Sequence, residues 1–195
     1  MVEAISNSTV WILSLVYFAI VFGLYGVTFW LPQIIQSVGH RSDFEIGMLS
    51  AIPFFGAAIA MVYVGRASDL SGERRRHLAV CAGVGAIGLM LASMTRSPIL
   101  SLGALSIAAA GIWGPFGPFW AVPPEFLSGA AAAGAIALIN SIGNLGGFAG
   151  PYVVGIVKQR THSFAGGMIV MAASLVAAGL LALTLPVPLR ETDPS

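Results

Sequence analysis

Asn140 and Asn144 are the polar side chains best placed to act on a solute. Both lie in an uncharged run, residues 126–157. On a helix turning about 100° per residue they stand about 40° apart. Gly143, Gly147 and Pro151 fall within about 60° of the same direction, with Ile136, Leu138, Ile142 and Leu145 mostly elsewhere. One stripe of amides and small residues results, with the Ser141 hydroxyl beside it. Such a stripe can offer donors and acceptors to a solute. It can also serve helix packing, since small residues let backbones approach and Asn hydrogen-bonds across helices. Two asparagines in one apolar run are costly without a use, which favours the solute-facing reading, with Asn140 first.

Aromatic residues give a second set of candidates. Trp120 follows two Gly-Pro steps, Gly114-Pro115 and Gly117-Pro118. Breaks of that kind are tolerated where a helix faces protein or a water-filled cavity, so Trp120 is expected to line one. Tyr25 sits mid-run beside Gly26, where a buried phenol needs a partner. Trp30, next to Leu31-Pro32, reads more readily as an interfacial anchor.

The third constellation is Gly65-Arg66-Ala67-Ser68-Asp69-Leu70-Ser71-Gly72-Glu73-Arg74-Arg75-Arg76. Gly65 and Gly72 allow a tight turn between two helices. Asp69 is expected near the start of the next helix, where the dipole favours a carboxylate. Arg74 and Arg75 can pair with it or with a neighbouring helix end. The same cluster also reads as an ordinary basic loop.

These groups must be positioned by elements whose nature the charge distribution dictates. Of 195 residues, 57% are hydrophobic and 9% charged, against about 25% charged in a soluble domain. A soluble globule and a disordered chain are both excluded. The net charge of +1 leaves no footprint for nucleic acid. One cysteine, Cys81, excludes an internal disulfide framework and a cysteine-based zinc site, so no metal or cofactor is expected.

The charges cluster, leaving six uncharged runs at 4–39, 46–65, 78–95, 97–124, 126–157 and 161–189. About 20 apolar residues cross the hydrocarbon of a bilayer, and only helices satisfy the backbone there. The expected spans are 10–31, 46–64, 78–94, 99–122, 130–156 and 165–186, flanked by an N-terminal segment 1–9 and a tail 187–195. No span interior carries Asp, Glu, Lys, Arg or His. Neither a Ser–His pair, paired aspartates nor a zinc site can be assembled, so an enzyme is not expected.

The first run lacks a basic leader and is too long for a cleaved signal, so it should remain as a span. Six spans put both termini on one side. That side holds Arg66, Arg74, Arg75, Arg76 and Arg190; the other holds Arg41, Arg96, Lys158 and Arg160. The dense cluster at Glu73–His77 places the 65–77 loop and both termini in the cytoplasm. At the helix ends, Ser42 with Glu45 forms a capping box, Ser97-Pro98 opens the fourth span and Ser163 can cap the sixth.

An internal echo fixes the architecture. Trp30 and Trp120, Gly56 and Gly146, and Gly65 and Gly155 are each 90 residues apart. Three spans repeated means two units inverted in the membrane, the construction of a transporter half. The fold class is thus an all-α membrane protein of six transmembrane helices in two inverted three-helix repeats. The first helix of each unit lines the cavity, which points to Tyr25, Trp30, Phe116 and Trp120.

The pattern Gly-x-x-x-Asp-x-x-Gly-x-Arg-Arg between two spans resembles the signature loop of the major facilitator superfamily. Gly23-Leu24-Tyr25-Gly26 with Phe29-Trp30-Leu31-Pro32 is similar to the opening of the seventh span in its anion:cation symporter family. Phe126–Ala132 and the run Ala137–Phe148 resemble the same family, in its branch of tartrate, phthalate, 4-hydroxyphenylacetate and sugar-acid permeases. The resemblance covers about residues 10–186.

What it implies is the C-terminal six-helix half of an inner-membrane carrier that imports small organic anions with protons by alternating access. Gly65, Asp69, Gly72, Arg74 and Arg75 would brace helices on the cytoplasmic side. Of the candidate substrate contacts Asn140, Asn144, Ser141, Trp120 and Tyr25, the resemblance itself implies Asn140 and Trp120; the others rest on the residue pattern above. Two departures stand out: Leu70 where Arg often follows the Asp, and Gln159 where an Asp is common. The family's titrating carboxylates and substrate-pairing arginines lie mainly in an N-terminal half outside these six spans, so that half is the implied partner. The competing reading is a non-transporting membrane remnant or assembly partner.

Overall fold

The computed structural model describes residues 5–37, 39 and 42–186; Arg41, Arg190 and the tail 187–195 lie outside the described residues. The helices are α1 Ser8–Ser37, α2 Asp43–Ser71, α3 Arg74–Met94, α4 Pro98–Trp113, α5 Phe116–Ala121, α6 Pro123–Phe126, α7 Gly129–Thr161 and α8 Ala165–Leu183. With α4 to α6 taken as one path, six are long and apolar enough to cross a membrane, and the chain is a multi-pass membrane protein. The fold is all-α, with no strand among the described residues.

The helix ends follow local chemistry. Ser42 and Glu45 make a reciprocal capping box at α2. Ser97 is extended with Pro98 at the first position of α4, but its hydroxyl caps nothing. The Ser163 hydroxyl accepts from Ala165 N (3.2 Å) at the start of α8. Gly72 closes α2 in the left-handed region at φ 70°, its N–H donating to Ser68 O (3.0 Å).

The dominant pairings display the inverted repeat. α1 packs mainly on α7 and α8, α3 on α8 and α4, and α2 on α4. Exchanging α1–α3 with α4–α8 turns the α1–α7 contact into α4–α2 and the α3–α4 contact into α8–α1, and returns α3–α8 to itself. The 90-residue glycine echo is weaker in detail. Gly146 lies against the Phe18–Phe22 backbone and Gly155 against Trp30, whereas methyl groups added at Gly56 or Gly65 would meet nothing within 4 Å.

Apolar residues are buried in two tiers. One holds Leu13, Val16, Leu78, Phe119 and Ile139, the other Leu31, Leu89, Leu105, Met171 and Leu175. α3 and α4 come together backbone to backbone at Gly85, Gly88 and Gly111. In a bilayer, close approach of this kind replaces the hydrophobic drive available in water.

Two expectations are corrected here. The fourth path breaks at Gly114-Pro115 and again at Val122-Pro123, not at Gly117-Pro118. Once the helix restarts at Phe116, Pro118 lies in its first turn, where no N–H is needed. α2 runs on to Ser71, so Gly65 and Asp69 sit in its last turns and Gly65 forms no part of the turn.

Candidate functional site

α2 and α7 are the least buried of the six crossing helices. The open face of α2 is apolar along its middle, with Met48, Ile52, Phe55 and Ile59 exposed, but that of α7 differs in kind from the outward faces of α3 and α8. Val80, Ile87 and Leu91 on α3 and Ile169, Val176 and Leu180 on α8 are exposed and wholly apolar, as lipid requires. The exposed face of α7 instead carries Asn140, Ser141 and Asn144 near the middle of the helix.

The sequence stripe on α7 divides in two. Gly143, Gly146 and Gly150 are buried against Tyr17, Phe18 and Phe22 of α1, while the asparagines lie beside that seam on the open side. Asn144 Nδ2 donates to Asn140 Oδ1 (2.7 Å) and to Asn140 O (2.9 Å). This couples the two amides and leaves Asn140 Nδ2 and Asn144 Oδ1 without a protein partner among the described residues. One donor and one acceptor therefore stand adjacent and open. Ser141 donates to Ala137 O within its own helix (2.8 Å).

The aromatic candidates adjoin this face. Tyr25 is exposed, and its ring covers Gly147. Trp120 on α5 is half-buried and stands edge-on to Tyr17, with ring centroids 4.9 Å apart. Tyr17 also stacks on Phe119 at 5.0 Å and abuts Gly143. Tyr17 is thus the link between Trp120 and the asparagine helix. Sequence reasoning names Tyr25, eight residues on in the same run, and misses Tyr17, because nothing within α1 says which phenol meets α5 and α7. Trp30 donates to Pro151 O (3.0 Å) and packs on Phe164, tying α1 to α7 and to the residue before α8.

At the end of the bundle holding Gly72, Arg74 is the hub. It pairs with Asp69, and donates to Ser68 Oγ (3.2 Å) and Glu125 Oε1 (3.3 Å). One guanidinium therefore joins the end of α2 to α6, across the α2–α3 turn. Arg76 pairs with Glu73 (3.5 Å). Arg75 faces the same small crevice but holds no carboxylate among the described residues. Glu125 is the partner that was not foreseen; its signal was that it is the only charge between Arg96 and Lys158.

Asp69 is largely exposed, so the pairs are partly screened and each contributes about 0.2–1 kcal/mol. In a thermal-unfolding cycle on the purified chain, Arg74→Ala and Glu125→Ala are expected to be non-additive by about 0.2–1 kcal/mol. Simple additivity would mean that the contact ties nothing together.

The chain matches the major facilitator superfamily over residues 13–195. It is 44% identical over 173 residues to a protein of Agrobacterium vitis named for tartrate transport, covering 89% of this chain and 38% of that one. It is 38% identical over 166 residues to a quinolone resistance transporter of Acinetobacter baumannii, covering 85% and 38%. To the inner membrane transport protein RhmT of Escherichia coli K12 it is 33% identical over 194 residues, covering 98% and 45%. The chain thus spans less than half the length of these relatives, all of which are named for transport and none as an enzyme. With a family model matched over residues 13–195 and relatives up to 44% identical along most of its length, the chain belongs to the major facilitator superfamily.

Proposed function

We propose that these six helices form the C-terminal half of a carrier that moves a small organic anion across the cell membrane, coupled to protons. The observation that carries this reading is the position of Asn140 and Asn144. An unpaired amide costs several kcal/mol in hydrocarbon, so a mid-helix face bearing two cannot be left to lipid. It needs water, a solute or protein opposite it. A second six-helix half packed across α2 and α7 supplies that enclosure, and the asparagines then line the cavity between the halves. The relatives' names give carboxylates such as tartrate as the substrate class to test first.

In this reading, Asn140 and Asn144 hydrogen-bond the substrate, with Ser141, Tyr25 and Trp120 around it. The proton-titrating carboxylates and anion-pairing arginines belong to the other half, since no Asp, Glu, His, Lys or Arg lies in the middle of the present spans. Rocking of the halves exposes the site to each side in turn. Gly65, Asp69, Gly72, Arg74 and Arg75 lie at the cytoplasmic end. There the Asp69–Arg74–Glu125 link keeps α2, α3 and α6 moving as one body.

Single cysteines in a Cys81→Ala background test both the cavity and the orientation. In the assembled carrier, a water-soluble thiol reagent should label Asn144→Cys but not Ile87→Cys, although both positions are exposed on the bundle. Substrate should suppress the label at 144. Gln159→Cys should react from outside intact cells, and Ser71→Cys only after permeabilisation. An inert position 144 would make the asparagines packing residues and favour a non-transporting assembly partner. Reversed access at 71 and 159 would invert the topology.

A further inference from the structure

The end of the bundle opposite Gly72 holds an open cleft of about 670 Å³. It lies among the ends of α1, α3 and α7 and the start of α8. Its walls include Gln33, Ser93, Thr95, Arg96, Lys158 and His162, and no carboxylate is among them. Three crossing helices begin at this end and three finish there, so their dipoles nearly cancel and side chains set the sign of the field. The acidic residues of this end, Asp43 and Glu45, are outside the lining, and Glu45 is engaged in the α2 capping box.

Lys158 is held in an unusual way. Its ammonium lies 4.9 Å from the Trp30 ring centroid and 4.6 Å from that of Phe164, and it donates to Gln33 Oε1 (3.0 Å). Aromatic faces and an amide oxygen fix a cation without neutralising it. Neither Lys158 nor Arg96 pairs with a carboxylate among the described residues, so both stay available to an anion. Lys158 in the last turn of α7 also suits the helix dipole, but that needs neither the aromatic cage nor a second cation across a hydroxyl-lined cleft. The cleft is the size of a small-molecule site.

The geometry points to this cleft as a second, peripheral site that captures a small carboxylate between Lys158 and Arg96, outside the asparagine face. The choice of carboxylate rests on the carrier reading above; the site itself does not. Paired cations around a carboxylate give charge-assisted hydrogen bonds, and a cationic mouth raises the local anion concentration at the entrance.

Lys158 is the single lysine in the sequence, so acylation reports on it alone among side chains. The purified chain in an uncharged detergent is treated with a water-soluble sulfosuccinimidyl acetate, and the Lys158 peptide is followed by mass spectrometry. Tartrate is the probe, with sodium chloride at matched ionic strength as the reference. Acylation should slow saturably, by about tenfold when tartrate stands at ten times its dissociation constant. Arg96→Gln should lose that protection, while Asn140→Ala should keep it. Absence of protection, equal protection by chloride, or full protection in Arg96→Gln would overturn the proposal. Protection by phosphatidylglycerol micelles but not by tartrate would make the cleft a lipid-phosphate site and also overturn it. Intact protection in a carrier whose uptake ignores Asn140→Ala would sink the central site and leave this one standing.

Discussion

Gly111→Ala should destabilise the bundle more than any other single methyl addition on α4. A Cβ at Gly111 would lie 2.5 Å from Gly85 Cα and 2.6 Å from the Cys81 carbonyl oxygen. These are backbone atoms of α3, so no rotamer change relieves the clash and the two helices must separate. Gly85 and Gly88 sit in the same seam, and the loss spreads along it. Overpacking a tight contact costs about 1–3 kcal/mol, more where nothing can yield. Gly103, on the same helix, has nothing within 4 Å of its added Cβ. Gly103→Ala should therefore hold or raise stability, since Ala exceeds Gly in helix propensity by about 1 kcal/mol. Thermal unfolding of the purified chain in detergent compares the two. A Gly111→Ala midpoint equal to that of the unaltered chain would refute the close α3–α4 contact.

That contrast shows what the sequence can and cannot say. Six spans are legible because charged residues end runs of 18 or more uncharged ones, and the bilayer forces each run into a helix. The Ser42–Glu45 box and the Gly72 stop are legible because capping chemistry is local. Gly111 and Gly103 look alike in sequence, because a helix's own periodicity does not say which neighbour it meets. The same limit explains the α7 stripe. Helical arithmetic places Gly143 and Asn140 on one side, but only the position of α1 makes Gly143 a contact for Tyr17 and leaves Asn140 open. Gly117-Pro118 reads as a break in the sequence for a related reason, since a proline's effect depends on where the helix restarts. The Arg74–Glu125 contact joins residues 51 apart, and nothing periodic connects them.

Asn140→Ala carries the largest expected effect on function. The exposed Asn140–Asn144 pair presents one open donor and one open acceptor, and removal of a buried group paired with substrate costs about 1–3 kcal/mol. That is roughly a tenfold to hundredfold loss of affinity. Tyr25 and Trp120 bring ring faces with fewer polar atoms, so their replacement should cost less. Ile87→Ala, on the lipid-facing side of α3, should cost nothing measurable in uptake.

The most direct measurement joins the N-terminal half of the Agrobacterium vitis relative to this chain and follows labelled tartrate entering cells. With Asn140 present, the joined carrier should accumulate tartrate. With Asn140→Ala it should reach the membrane in equal amount and take up about tenfold to a hundredfold less at low substrate concentration. Unchanged uptake in the Asn140→Ala carrier, or no uptake by a correctly inserted carrier with Asn140 intact, would contradict the assignment of the α7 face as the substrate-binding surface.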